Sequence, residues 1–220
     1  MKKIRGLKFM KRNKTIYKMS LVAILIAIML ILGFTPLGTI QMGIFTISLL
    51  GIPVAIAACL YGPYFGALIG LVWGTISLIQ GITGMDVSGP LLLEYSPIGL
   101  VVTCIVPRVL TGYLAGLIYQ LNTKWDKKGR LNSIITCGLV PVFNTVFFMS
   151  SYVAFFYFSD LYQSSAEYLS NQYGVNAFNP ILFIVFAVGI NFIVEFSVNM
   201  VVGSAAVFGL KKATKSLNLE

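Results

Sequence analysis

The chain is 220 residues long, 57% of them hydrophobic and only 10% charged, with a net charge of +9 and a mean hydropathy of +0.87. A soluble domain carries about 25% charged residues, so this composition excludes a water-soluble globule and asks for a bilayer as the main solvent. At about 20 residues per span, the length admits six or seven helices in one domain.

Eight of the sixteen basic residues, from Lys2 to Lys18, precede the first apolar run. Their distribution points away from nucleic acid and toward a topology signal beside a membrane span, in contact with anionic lipid of the bilayer. The first run covers 19–34 and ends at Thr35-Pro36-Leu37-Gly38 with no small-x-small cleavage pattern, so it reads as a retained helix and not a signal peptide. A second run, 44–61, stops at Gly62-Pro63, and a third occupies 64–82. The pair is predicted to form a tight helical hairpin. Gly66, Gly70 and Gly74 recur at every fourth position and mark a face that lets a neighbouring backbone come close.

Residues 81–97 lack apolar periodicity, carry Asp86 and Glu94, and read as a long loop. The fourth run, 98–120, contains Pro107-Arg108 and leads to the basic connection 124–130. The fifth spans 131–159. A polar segment with Asp160 and Glu167 then reaches Asn179-Pro180, and the sixth run covers 181–210 before Lys211, Lys212 and Lys215. The expected organisation is an all-α integral membrane protein of six transmembrane helices (19–210), with a basic segment (1–18) before it and a basic tail (211–220) after it. Fifteen of the sixteen basic residues fall on the side of the termini. The positive-inside rule therefore places both termini in the cytoplasm and Asp86, Glu94, Asp160 and Glu167 outside.

Charges within spans are expensive, which singles out Arg108 and Glu195. By helix rise they lie about 15 Å and about 20 Å below the outer ends of their helices, close enough in depth to pair. Two readings stay open: a structural Arg108–Glu195 ion pair, or a guanidinium fork presented to an anionic substrate group. Asn144, Asn191 and Gln80 lie toward the outer half and suit either a polar ligand or a neighbouring backbone group. Cys59, Cys104 and Cys137 sit in apolar runs without CxxC spacing, and the chain has no histidine, so no metal site is expected. No GxSxG, HExxH or Walker A pattern is present, which leaves enzymatic chemistry unsignalled and no ATP site of its own.

Four stretches carry a family resemblance: Ala23-Ile24-Leu25-Ile26-Ala27, TPLGTIQMG at 35–43, LYGPYFGALIG at 60–70 and VPRVLTGYLAG at 106–116. With these the chain resembles, over nearly its whole length, the substrate-binding S components of energy-coupling factor (ECF) vitamin transporters. The resemblance implies a membrane subunit that captures a water-soluble vitamin in the prokaryotic plasma membrane. Its partners would be a transmembrane coupling subunit and two ATPases, which alone use ATP. It implies docking through the small-residue face of the first helix, Ala23 and Ala27. Substrate would be held near the outer face, which by position selects Gln41, Asp86, Glu94, Tyr95, Arg108, Asn144 and Asn191. The stretch after the first helix looks most like pantothenate-type members. Riboflavin, folate and hydroxymethylpyrimidine remain alternative substrates, and a stand-alone secondary transporter or an assembly protein without ligand remain alternative classes.

Overall fold

An apolar segment in lipid finds no water for its backbone, so it closes its hydrogen bonds within a helix. The computed structural model describes residues 2–35, 38–42, 45–86, 88–123, 126 and 129–216, with side chains from residue 14 onward except at 39–42, 45–47 and 190. Nine α-helices follow in chain order among these residues: α1 (Lys2–Gly33), α2 (Gly51–Tyr61), α3 (Pro63–Thr83), α4 (Gly89–Tyr95), α5 (Pro97–Asn122), α6 (Arg130–Phe156), α7 (Asp160–Tyr173), α8 (Pro180–Val198) and α9 (Ser204–Ser216). A π-helical turn, Asn199–Gly203, joins the last two. The fold is a nearly all-helical membrane bundle. Among the described residues five helical stretches are long and apolar enough to cross a bilayer: Lys14–Gly33, Pro63–Thr83, Pro97–Asn122, Arg130–Phe156 and Asn191–Ser216.

The second apolar run differs from its expectation as a single span. Its first part belongs to an antiparallel hairpin of β1 (Thr39–Met42) and β2 (Phe45–Ser48), with Ile40 opposite Ile47 and Gln41 opposite Thr46. Only α2 is helical, and its 11 residues extend about 17 Å at 1.5 Å per residue, against a hydrocarbon core of about 30 Å. Pro53 through Cys59 are all buried, so α2 acts as a plug within the bundle. The two segments expected as loops also hold helices. Ser159 Oγ accepts the Tyr162 N–H at 3.2 Å and starts α7, Asp160 lies in its first turn and a left-handed Gly174 ends it, the capping pattern of a short amphipathic helix. In α4, Pro90 occupies the first turn.

The tightest seam runs between α3 and α5. Gly66 lies against the Gly112 carbonyl and Gly70 against the Arg108 carbonyl, and a Cβ on Gly74 would fall 2.9 Å from the Cys104 carbonyl oxygen. The four-residue glycine spacing thus gives the close backbone approach it predicts. Pro107 and Pro141 sit inside α5 and α6 without ending either helix.

One end of the bundle gathers the basic groups. Tyr17 Oη and Thr214 Oγ1 share a hydrogen bond at 3.2 Å, and Lys18 Nζ stands 3.8 Å from the Phe65 ring centroid at the start of α3. Lys211 Nζ donates to Tyr119 Oη and, at 2.9 Å, to Ser133 Oγ. The continuous α1 carries the N-terminal basic segment straight into the first span. The positive-inside rule assigns this end to the cytoplasm, and the opposite end is called outer below.

The glycine seam yields a stability test. Gly112→Leu forces a side chain into the α3 backbone and lowers stability by about 1–3 kcal/mol, as overpacking does. Gly189→Ala, where nothing lies within 4 Å, leaves it unchanged. Thermal unfolding in detergent measures both.

Candidate functional site

In the outer half of the bundle α3, α5, α6 and α8 diverge around a cavity of about 140 Å³. Trp73, Ser77 and Gln80 line it from α3, Thr103, Cys104 and Arg108 from α5, Asn144, Thr145 and Phe148 from α6, and Asn191, Phe192 and Glu195 from α8. Ser48, at the end of the hairpin, and Asp86, in the α3–α4 connection, complete the wall. Hydroxyl, amide, carboxylate and guanidinium groups thus converge with apolar and aromatic side chains in one enclosure, the anatomy of a small-molecule site.

The arginine is placed by the proline before it. Pro107 has no N–H, so the Thr103 carbonyl four residues earlier loses its helical partner. Arg108 Nη1 takes up that acceptor at 2.5 Å. The guanidinium lies over the Phe148 ring, 4.4 Å from its centroid, with Trp73 at 5.7 Å, and Arg108 is only 8% exposed. The aromatic faces stabilise the cation without using its hydrogen bonds. Arg108 Nε has no hydrogen-bond partner, and neither has Asn144 Oδ1 or Thr103 Oγ1 beside it. Buried donors and acceptors left unmade each cost about 1–3 kcal/mol, and an incoming ligand with the complementary groups removes that cost.

Of the two readings of Arg108, a direct ion pair with Glu195 is not formed in this arrangement, although the two opposite charges act on each other across the cavity. Both residues line the cavity, but Arg108 bonds the Thr103 carbonyl and Glu195 Oε1 accepts the Ser48 N–H at 2.7 Å. The reason is local: the proline-freed carbonyl and the hairpin's terminal N–H are nearer claims on the two charges.

The structure brings Asp86, Arg108, Asn144 and Asn191 together in one wall. It leaves Glu94 and Tyr95 exposed on α4, outside the cavity. Gln41 lies in β1, and its side chain is outside those described. Gln80 lines the cavity and also donates to the Gly33 carbonyl at 2.5 Å, tying α3 to the end of α1. Trp73, Phe148 and Thr103 line the cavity too; they carry no charge and such residues recur in many helices, so nothing in the sequence singled them out. Ala23 and Ala27 are exposed on α1, while Val22, Leu25 and Met29 turn into the core.

Burial at the mouth of the cavity pushes the Asp86 carboxyl above its ordinary range, against the opposing pull of the Ser88 N–H and the Arg108 charge. Its Oδ1 accepts that N–H at 3.2 Å.

Comparison with known proteins gives this geometry a family. Residues 17–207 match the family described as ECF transporter, substrate-specific component. The chain belongs to that family. ECF substrate-specific components are multi-pass cell-membrane proteins that capture a vitamin for import, so this chain is a transport subunit and not an enzyme. Among its relatives is the pantothenate transporter PanT of Leuconostoc mesenteroides subsp. mesenteroides, 31% identical over 148 residues, which cover 62% of this chain and 68% of the relative. The pantothenic acid transporter PanT of Lactococcus lactis subsp. cremoris is 29% identical over 160 residues, 67% of this chain and 77% of the relative.

The shift at Asp86 has a sign that can be checked. The folded protein holds this proton more tightly than the unfolded chain, so protonation stabilises the fold as pH falls through the raised value, and the gain is complete below the ordinary carboxylate value. At neutral pH the buried charge is a cost. Asp86→Asn is expected to raise the unfolding temperature in detergent at pH 7–8 and to leave it unchanged near pH 4, flattening the pH profile.

Proposed function

We propose that this substrate-specific component captures pantothenate, with the ligand carboxylate received by Arg108. The observation that carries the reading is a buried guanidinium in the cavity wall whose Nε has no partner, next to an Asn144 Oδ1 in the same state. A carboxylate accepts from such a fork in bidentate fashion, and an amide N–H is the natural donor to Asn144. Pantothenate bears one carboxylate, one amide and two hydroxyls, so it offers both kinds of group. The names of the two relatives, both pantothenate transporters, support the same substrate. Riboflavin and hydroxymethylpyrimidine, which carry no carboxylate, would leave the arginine without an anionic partner.

In this reading the partners are a transmembrane coupling subunit and two ATPases, and ATP is used by those subunits. The exposed Ala23 and Ala27 form the docking face for the coupling subunit, since residues four apart share one side of a helix and alanine permits close approach.

Purified protein tests the substrate directly by calorimetric titration and by mass spectrometry of small molecules released on denaturation. Pantothenate binding is expected. Arg108→Lys keeps the charge but loses the fork and should weaken it at least about tenfold, with Arg108→Met weaker still. Unchanged affinity in both variants would remove Arg108 from the site.

The docking face is tested separately. Ala27→Trp should abolish uptake into cells carrying the ATPase module while leaving pantothenate affinity in detergent intact. Loss of affinity instead would show that the residue serves the binding fold.

A further inference from the structure

Glu195 lies on α8, fifteen residues below the helix start at Pro180, whereas Arg108 lies eleven residues into α5. At 1.5 Å per residue that puts Glu195 about one helical turn deeper than Arg108, on the floor of the cavity. It is only 7% exposed, and among the described residues it forms no direct ion pair, the Arg108 charge acting on it only across the cavity. Ser48 N–H, arriving from the end of the β-hairpin, occupies Oε1 at 2.7 Å. Among the described residues no other group donates to this carboxylate. One oxygen of a buried acid therefore holds the hairpin, and the other retains its capacity to accept.

The backbone around it is built to hold it there. The π-helical turn begins four residues on, at Asn199, whose Nδ2 donates to the Glu195 carbonyl at 2.9 Å. A π-helical turn inside an α-helix widens it by one residue, a distortion that recurs at functional sites. Asn199 in turn lies against Gly51 at the start of α2, so the Glu195 backbone is fixed from two sides while its side chain faces the cavity.

Resting on the assignment of a carboxylate ligand to Arg108, the geometry points to a second, specificity-determining pole: Glu195 Oε2 receives a ligand hydroxyl. The site then selects molecules with a carboxylate at one end and an O–H donor at the other. It rejects carboxylates whose far end is apolar, because such ligands leave the second oxygen of the floor acid buried without a donor. Sites that bond a hydroxyl discriminate strongly against the analogue lacking it, for that reason.

The test compares pantothenate with tert-butylacetyl-β-alanine, which has the same carbon skeleton and carboxylate but neither hydroxyl. Wild-type protein is expected to bind the analogue at least about tenfold more weakly. Glu195→Gln keeps an acceptor for the Ser48 N–H and replaces the second oxygen with an amide donor. It should lose affinity for pantothenate, hold that for the analogue, and bring the ratio below about threefold. An unchanged ratio in Glu195→Gln would overturn the inference, as would a wild type that does not distinguish the two ligands.

A second readout needs no variant. In infrared difference spectra of the wild type, a hydroxyl donated to a buried carboxyl shifts that group's band, so pantothenate should produce a shift that the analogue does not. Identical carboxyl bands with both ligands would overturn the inference. If neither compound binds the wild type, it is the pantothenate reading that fails. If both bind and only the Glu195 dependence is missing, that reading stands and the hydroxyl pole alone is lost.

Discussion

The Thr103–Pro107–Arg108 arrangement is the contact on which the site depends. A proline within a membrane helix frees one carbonyl, and lipid supplies nothing to satisfy it. Here the next residue in the chain satisfies it: the arginine's own fork reaches back to the Thr103 oxygen. That single bond answers two demands at once, since it closes the helix and gives a buried cation a fixed direction. The remaining guanidinium surface is covered by the Phe148 and Trp73 rings, which hold the charge while leaving its other donors available to a ligand.

The glycine seam makes that direction useful. Gly70 sits against the Arg108 carbonyl and Gly66 against Gly112, so α5 is pressed onto α3 through its backbone. Beside this seam Trp73 from α3 and Arg108 from α5 line the cavity, and Asn144, Asn191 and Glu195 complete its wall from α6 and α8. Glycines along the seam and one proline inside α5 thus make two apolar helices one side of a polar cavity. The basic residues gathered at the far end fix which way the cavity opens.

Much of this was legible from the residues. The apolar runs gave the bundle, the lysine and arginine distribution gave its polarity, and Gly66, Gly70 and Gly74 gave the close α3 contact. Arg108, Asn144 and Asn191 stood out because polar groups within spans are rare and expensive. The second run was misread because hydropathy cannot separate a β-hairpin from a helix of equal apolarity. The β-branched content of Thr39, Ile40, Thr46 and Ile47 and the glycines at 38, 43 and 51 were the available signs. Between the two readings of Arg108, ion pair or ligand fork, the sequence could not choose. Depth along two helices predicts proximity, but it says nothing of nearer acceptors and donors such as the Thr103 carbonyl and the Ser48 N–H. Lining residues such as Trp73 and Phe148 were invisible because only the tertiary fold brings their faces together.

The central claim is that the Arg108 guanidinium receives the carboxylate of the captured vitamin. Magic-angle-spinning NMR on the protein in lipid, with carbon-13 in the pantothenate carboxylate and nitrogen-15 in arginine, measures that contact. Because the chain has only four arginines, at 5, 12, 108 and 130, Arg108→Lys assigns the signal. A carboxylate-to-guanidinium coupling corresponding to about 4 Å or less, lost in Arg108→Lys, is the result predicted. Bound pantothenate whose carboxylate shows no coupling to that guanidinium would contradict the account.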